Sequence, residues 1–337
     1  MSAACLHAYR IARTFVYPST YPRVRSHPLA RTSTHERNHV NSPLANVSAT
    51  RAVLERHGLW TKHHLGQNFL VNDDVIGKIL GLAELGPSDV VLEVGPGIGT
   101  LSVALLGSAG AVVAVEADRS LAPVLAETCG GVDEGFSLVL GDALKVGEDD
   151  LSEAVAALGR DDLPTMPTAF VSNLPYQVAA TLILRALEEL PSVRRIVVMV
   201  QAEVADRIAA TPGGREYGAY TAKLGLYGHV TGRFNVSPGN FFPPPHVDSA
   251  VVRIERRELV DEASGEALAP ELREATTRVI DAAFAQRRKT IRNSMGSSGF
   301  DKAALDAAFA ATGIDARCRA ETLATADFVR LAQALSV

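Results

Sequence analysis

Residues 91–102 read Val-Leu-Glu-Val-Gly-Pro-Gly-Ile-Gly-Thr-Leu-Ser, and this run decides the fold. Asp89–Val94 is a short apolar segment that spells a strand buried on both faces. Gly95, Gly97 and Gly99 then form a tight turn, and a helix is expected to open near Thr100. Glycine lets the backbone approach a ligand closely, and a helix start offers unpaired N–H groups. The spacing is Gly-x-Gly-x-Gly, not the Gly-x-Gly-x-x-Gly that cradles a pyrophosphate. The ligand expected is therefore an adenosine without a diphosphate, which points to S-adenosylmethionine. Taken alone, the run is also explained by a strand–turn–helix of purely structural purpose.

The same pattern repeats on either side. Ala111–Glu116 reads as a second strand and ends in an acid 21 residues after Gly95, where a carboxylate accepts hydrogen bonds from a ribose diol. Ser137–Leu140 is a third strand, followed by Gly141-Asp142-Ala143; Asp142 either receives the exocyclic amine of the cofactor's adenine or caps the next helix. Ala169–Ser172 and Ile196–Val200 are the fourth and fifth strands, with helical stretches between. Strands alternating with helices give βαβ units and a doubly wound parallel sheet. Two later β-rich runs, near 221–230 and 247–255, are expected to close that sheet as an antiparallel pair. Ala-rich, charge-laced segments near 270–295, 301–311 and 325–335 read as a small helical domain.

Composition sets the limits. The 337 residues are 47% hydrophobic and 21% charged, enough apolar material for about two domains. No window approaches the ~18 uninterrupted apolar residues of a membrane span. Cys5, Cys129 and Cys318 form no CxxC pair, which excludes a disulfide scaffold and a cysteine-rich zinc site. Residues 1–50 carry six arginines against one acid, net +5, leaving the other 287 residues with 27 bases and 37 acids, net −10. An acidic body argues against indiscriminate phosphate binding, so any nucleic-acid contact must come from local basic clusters. Residues 1–50, rich in Ser, Thr, Pro, His and Arg, read as a disordered or non-native extension; an organelle transit peptide is the minority alternative.

The fourth strand runs into Asn173-Leu174-Pro175-Tyr176. Proline breaks the strand, so this loop projects at the C-terminal edge where open α/β sheets bind ligands. The Asn173 oxygen and an adjacent backbone carbonyl can accept hydrogen bonds from an amino group conjugated to a ring, and Tyr176 supplies a stacking face. The alternative is an Asx-turn and strand stop. Phe242-Pro243-Pro244-Pro245 is a stiff extended run that presents Phe241, or a rigid linker, or both. Arg287, Arg288, Lys289 and Arg292 place four bases within six residues. On a helix, Arg288 and Arg292 share a face and form a phosphate-binding stripe; a solvated face is the ordinary alternative. His63, His64 and His246 lack partners at metal-ligand spacing, and no metal site is expected.

Taken together, these motifs are similar to those of the bacterial small-subunit ribosomal RNA adenine dimethyltransferase family. The resemblance covers about residues 60–336 and is carried by LGQNFL (65–70), LEVGPGIG (92–99), Glu116, GDAL (141–144), NLPY (173–176), MVQAEVADRI (199–208), FFPPPHVDSAVVR (241–253), FAQRRKTIRNSM (284–295) and RAETL (319–323). It implies a Rossmann-like, seven-strand class I methyltransferase domain (51–258) and a small all-helical C-terminal rRNA-recognition domain (259–337). It implies S-adenosylmethionine contacts at Gln67, Asn68, Leu70, Gly95, Gly97, Glu116, Asp142 and Asn173. Catalysis is implied at Asn173, Leu174, Pro175 and Tyr176, with Phe241 facing the target base opposite Tyr176. RNA binding falls to Arg287, Arg288, Lys289 and Arg292. The implied reaction is dimethylation of N6 on two adjacent adenosines near the 3′ end of 16S rRNA in the 30S subunit, by a cytoplasmic monomer. Gln177-Val178 departs from the family's usual Asn-Ile or Asn-Val after NLPY. A resistance-type 23S rRNA methyltransferase and a non-catalytic assembly factor on the same fold are the rival expectations.

Overall fold

The computed structural model describes residues 13–14, 40–59, 68–260 and 265–335. Its first elements are β1 (Arg13–Thr14), α1 (Val47–Arg56), β2 (Phe69–Leu70) and α2 (Asp73–Ala83). The alternating core follows as β3 (Val90–Val94), α3 (Thr100–Leu106), β4 (Ala111–Glu116), α4 (Ala122–Cys129), β5 (Phe136–Leu140), α5 (Glu148–Ala156), β6 (Ala169–Asn173), α6 (Ala179–Glu189), β7 (Arg195–Gln201) and α7 (Ala202–Ile208). Then come α8 (Ala219–Leu224), β8 (Gly228–Val236), β9 (Phe241–Phe242) and β10 (Ser249–Arg256), and the helices α9 (Pro270–Phe284), α10 (Ile291–Ser297), α11 (Lys302–Thr312) and α12 (Thr325–Ala334).

The main sheet has the order β1-β5-β4-β3-β6-β7-β10-β8. Strands β5, β4, β3, β6 and β7 are mutually parallel, and β10 runs antiparallel between β7 and β8. This is the expected seven-strand α/β sheet, with a two-residue eighth strand from the N-terminal segment added antiparallel at the β5 edge. Successive side chains of β3 serve opposite layers, as a strand covered on both faces requires: Val90, Leu92 and Val94 join the α5–α6–α7 side, and Val91 joins the α2–α3–α4 side. Leu151, Ile183, Leu187 and Ile208 fill the first layer, and Ile76, Ile79, Leu105 and Leu125 fill the second. The chain steps from β3 outward to β4 and β5, then crosses back to β6 on the other side. The order thus reverses between β3 and β6, which places the ligand crevice at their C-terminal ends.

Three expectations are corrected here. The ordered body does not begin at residue 51: Ser42, Ala45 and Thr50 are buried, and Asn46 caps α1 by accepting from Ala49 N. The Asp73 carboxylate accepts from Asn41 N at 3.0 Å and Ser42 N at 2.8 Å, tying residues 41–42 to the start of α2. Much of the remaining extension, residues 1–12 and 15–39, lies outside the described residues. Second, 221–227 is not strand. Residues 219–224 are helical, and the antiparallel strand starts at Gly228; Tyr217, Ala222 and Leu226 are buried with α9–α12 instead, so the helical layer reaches back before residue 258. Third, 270–295 is two helices, broken across 285–290. Thr290 caps α10, and the Ser294 hydroxyl accepts from Gln286 N while donating to Ala282 O. That side chain satisfies backbone groups which the break would otherwise leave unpaired.

Among the described residues, no helix is long and apolar enough to cross a membrane.

Candidate active site

The crevice opens because β3 and β6 part. Their pairing covers Val91↔Ala169 and Leu92↔Phe170; beyond it, Val94 N donates to the Ser172 hydroxyl at 2.7 Å instead of to a backbone carbonyl. The buried N–H is satisfied while the strands separate, and Gly95 and Asn173 emerge on the two banks. Gly95 (φ 71°) and Gly97 (φ 61°) take the left-handed backbone that favours glycine. A Cβ on Gly95 would stand 3.4 Å from the Pro175 ring, and one on Gly97 would stand 3.1 Å from the Phe69 ring. The glycine loop is therefore packed between the NLPY loop and β2; a side chain at Gly97 would crowd this cradle, and one at Gly95 would be strained by its left-handed backbone.

Glu116, at the end of β4, is 7% exposed. Its Oε1 accepts from Asp118 N at 2.8 Å, and its Oε2 accepts from Gly97 N at 3.4 Å. Burial pushes its carboxyl up from the ordinary value, and these backbone N–H groups pull it back down. These N–H groups do not use up the acceptor sites of the carboxylate, so it can still receive a ribose hydroxyl. Asp142 follows β5 on the surface, exposed, with Oδ1 accepting from Leu144 N at 3.0 Å. Opposite, Asn173 Nδ2 donates to Asn68 O at 3.3 Å. That bond directs the amide oxygen away as the free acceptor. Leu174 is buried, with its N–H donating to Met199 O at 3.1 Å. No backbone N–H among the described residues takes its carbonyl. The Tyr176 hydroxyl lies 2.8 Å from the buried Ser249 hydroxyl.

A two-stranded ribbon covers this edge. β2 pairs with β9 through Phe69↔Phe242 and Leu70↔Phe241. It is fastened by Val71 N to Asn240 O (2.8 Å) and by Asn72 Nδ2 to Asn240 Oδ1 (2.7 Å). The ribbon corrects the reading of Phe241. That ring is 3% exposed and joins the apolar cluster that contains Leu70 and Val75, so it presents no open face. The half-buried ring next to it is Phe242, with the Arg51 guanidinium 4.9 Å from its centroid. Leu70 is likewise buried. Gln67 lies outside the described residues.

The basic run departs further from expectation. Arg287, Arg288 and Lys289 lie in the turn between α9 and α10, so Arg288 and Arg292 share no helix face. Arg292 is held by Asp306, its Nη2 donating to Oδ2 at 2.6 Å. Arg287 donates to Arg215 O at 2.5 Å. Arg288 and Lys289 are exposed and have no carboxylate partner among the described residues.

Two side chains that sequence reasoning passed over shape the site. Ser172 immediately precedes the NLPY loop, but a serine inside an apolar strand carries no distinctive signal. Glu93 is fully buried beneath the glycine loop, accepting from the Ser102 hydroxyl at 2.6 Å. Burial pushes its carboxyl up to about 8, against the Ser102 hydrogen bond and with the help of Glu116. Its position inside LEVGPGIG was the available signal. Among the described residues, no group of three or more His, Cys, Asp or Glu side chains is placed to hold a metal ion.

Comparison with known proteins agrees with this geometry. The family model described as "Ribosomal RNA adenine dimethylase" matches residues 59–336. Over 292 residues the chain is 42% identical to Ribosomal RNA small subunit methyltransferase A of Nocardia farcinica, covering 87% of this chain and 96% of that protein. The protein of the same name from Thermobifida fusca is 39% identical over 303 residues, covering 88% and 98%. Among solved structures, a dimethyladenosine transferase from Plasmodium falciparum superposes with a TM-score of 0.63 at 25% identity, covering 78% of this chain and 95% of that one. The 23S rRNA methyltransferase ErmE gives a TM-score of 0.59 at 25% identity, covering 80% and 100%. A glycine cradle, a ribose-type carboxylate and an oriented asparagine at one topological switch point thus coincide with a match over nearly the whole described body, and the chain belongs to the ribosomal RNA adenine dimethylase family.

Proposed function

We propose that this protein dimethylates N6 of two adjacent adenosines in the 3′-terminal hairpin of 16S rRNA, within a 30S subunit or its precursor. The observation that carries the reading is the Asn173 amide: its Nδ2 donates to Asn68 O, which leaves its oxygen as the acceptor, next in sequence to a Leu174 carbonyl that no backbone N–H among the described residues takes. Two such acceptors suit a planar exocyclic amine. The small-subunit methyltransferases of Nocardia and Thermobifida support the choice of rRNA.

S-Adenosylmethionine, when bound, supplies an electrophilic methyl group. Glu116 would hold its ribose diol, Asp142 its adenine amine, and Gln67, Asn68, Leu70, Gly95 and Gly97 its remaining surface. The Asn173 oxygen and the Leu174 carbonyl accept the two N6 hydrogens of the target adenine, drawing its lone pair out of conjugation and aiming it across the crevice. The same acceptors stabilise positive charge as it develops on nitrogen. The proton then passes to solvent, since an alkylated aromatic ammonium is acidic, and the S–CH3 bond pair stays on sulfur as the thioether; a second transfer, from a second donor molecule, dimethylates the amine. Tyr176, steadied by Ser249, supplies the stacking face for a base that must leave its own stack. Orientation of this kind is worth ~7 kcal/mol or more. Arg287, Arg288, Lys289 and Arg292 are the proposed rRNA contacts, with Arg288 and Lys289 the unpaired ones. The reading places the enzyme in the cytoplasm, acting as a monomer.

The test is tritium transfer to undermethylated 30S particles with mapping of the modified bases. Two adjacent dimethyladenosines near the 16S 3′ end are the expected result; methylation confined to 23S rRNA, or none, overturns it. Glu116→Ala should weaken S-adenosylmethionine binding by about 1.5–3 kcal/mol, the worth of hydrogen bonds to a charged acceptor.

A further inference from the structure

Arg185 joins two loops of the site that the chain keeps apart. It lies on α6, which continues directly from the NLPY loop: Val178 N donates to Pro175 O at 3.2 Å, and Leu182 N to Val178 O at 2.9 Å. From there its Nη1 reaches the loop behind β5, donating to Leu144 O at 2.6 Å and to Ala143 O at 3.4 Å. Its other edge is held by Glu189, with Nε 3.0 Å from both carboxylate oxygens. The planar guanidinium is fixed on both sides, a geometry a lysine cannot copy.

The two successive peptides it grips belong to the turn that orients Asp142. Leu144 N donates to Asp142 Oδ1 at 3.0 Å, and Lys145 N closes the turn onto Asp142 O at 2.8 Å. No backbone N–H among the described residues takes the Ala143 or Leu144 carbonyl. Beneath the loop lies a cavity of about 40 Å³ lined by Ala143, Val146, Leu151, Leu182 and Arg185. Ala143 and Val146 pack against the core beside this cavity, and the polar clip adds the directed bonds that fix the turn's orientation.

We infer that Arg185 is a positioning residue for cofactor recognition: it fixes the 142–145 turn so that the second Asp142 oxygen meets the 6-amino group of the cofactor's adenine. This rests on the role proposed for Asp142. It also makes one helix carry both the loop for the target adenine and the brace for the cofactor's adenine. A shift of α6 would then move both acceptors together.

Calorimetry on the full chain tests this with S-adenosylhomocysteine and S-inosylhomocysteine, which differ at the 6-position of the base. The wild type should prefer the adenosyl compound. Arg185→Met keeps the apolar stem and removes the donors. It should weaken the adenosyl compound about five- to tenfold, the scale of one or two lost hydrogen bonds, without a matching loss for the inosyl compound, so that the preference narrows. Arg185→Lys, with one donor in reach of Leu144 O, should recover part of it. Arg185→Gln should narrow the preference as the Met variant does, and it serves if the Met variant fails to fold. Equal weakening of both ligands would show a loop merely loosened and would overturn the inference, as would no change. Asp142→Ala separates the two layers. If it leaves the preference intact, the Asp142 assignment fails and the inference with it. If it narrows the preference and the Arg185 variants do not, only the inference fails.

Discussion

Asn173 Nδ2 donates to the Asn68 carbonyl at 3.3 Å, across 105 residues of chain, and this bond sets which end of the amide faces the crevice. An isolated strand-end asparagine turns freely; this one has a tether that only its nitrogen can use. Asn173→Ala should therefore leave the melting temperature nearly unchanged while methyl transfer falls by about two to three orders of magnitude, the scale of a lost oriented group at developing charge. Binding of 30S particles should survive. Near-normal transfer by this variant would make the loop structural and the mechanism wrong.

Glu93 gives the fold a pH dependence of its own. Its native carboxyl is pushed up to about 8, chiefly by burial, from an ordinary 4.5. Between those values the folded state holds a proton that the unfolded state has released, so stability contributed by this group is complete below about 4.5 and declines as pH rises toward 8. Glu93→Gln keeps the shape and the partner for Ser102 without the ionisation. Thermal melts from pH 5.5 to 8.5 should show the wild type losing stability with rising pH and the variant sloping less. Parallel slopes would mean that Glu93 does not titrate across this range.

The order of the core and the place of the crevice were legible because their signals are local. A glycine run after an apolar strand, an acid closing the next strand and a proline-stopped fourth strand are each written in a few adjacent residues. What could not be read depends on distant partners. Phe241 looks exposed in a proline-rich stretch, and only the pairing of β2 with β9 reveals that it is covered. Arg292 looks free until α11 brings Asp306 to it. Asn41 and Ser42 look like loop residues because their contribution is to feed N–H groups to Asp73, 31–32 residues further on.

Truncation at the N-terminus follows from those contacts. Removal of residues 1–39 should cost little stability, since among the described residues it takes only the two-residue β1, which pairs with β5 and adjoins α5. Removal of residues 1–50 also takes the Asn41 and Ser42 bonds to Asp73, the Asn46 cap and the buried Thr50. A missing cap alone costs about 0.5–2 kcal/mol, and each kcal/mol lowers the melting temperature of a chain this size by roughly 2–4 °C. The longer deletion should melt several degrees below the shorter. Equal melting temperatures would show that residues 40–50 do not brace the body.

Within the basic run, charge reversal should separate residues by their partners. Arg288 and Lys289 have no carboxylate partner among the described residues, so Arg288→Glu and Lys289→Glu should leave stability alone. Each should weaken 30S binding and reduce the slope of log affinity against log salt, by about 0.7–0.9 for every phosphate no longer neutralised. Arg292→Glu instead sets a second carboxylate against Asp306, which now bonds Arg292 Nη2 at 2.6 Å. Its first effect should be on the α10–α11 packing, seen as a lower melting temperature; Asp306→Arg in the same chain should restore that ion pair with the charges exchanged. Sedimentation of variants with 30S particles at several salt concentrations, beside melting curves, reads both effects. If Arg292→Glu loses particle binding with an unchanged melting temperature while Arg288→Glu binds normally, then the ion-paired arginine is the one that meets RNA, and the assignment of Arg288 and Lys289 must be reversed.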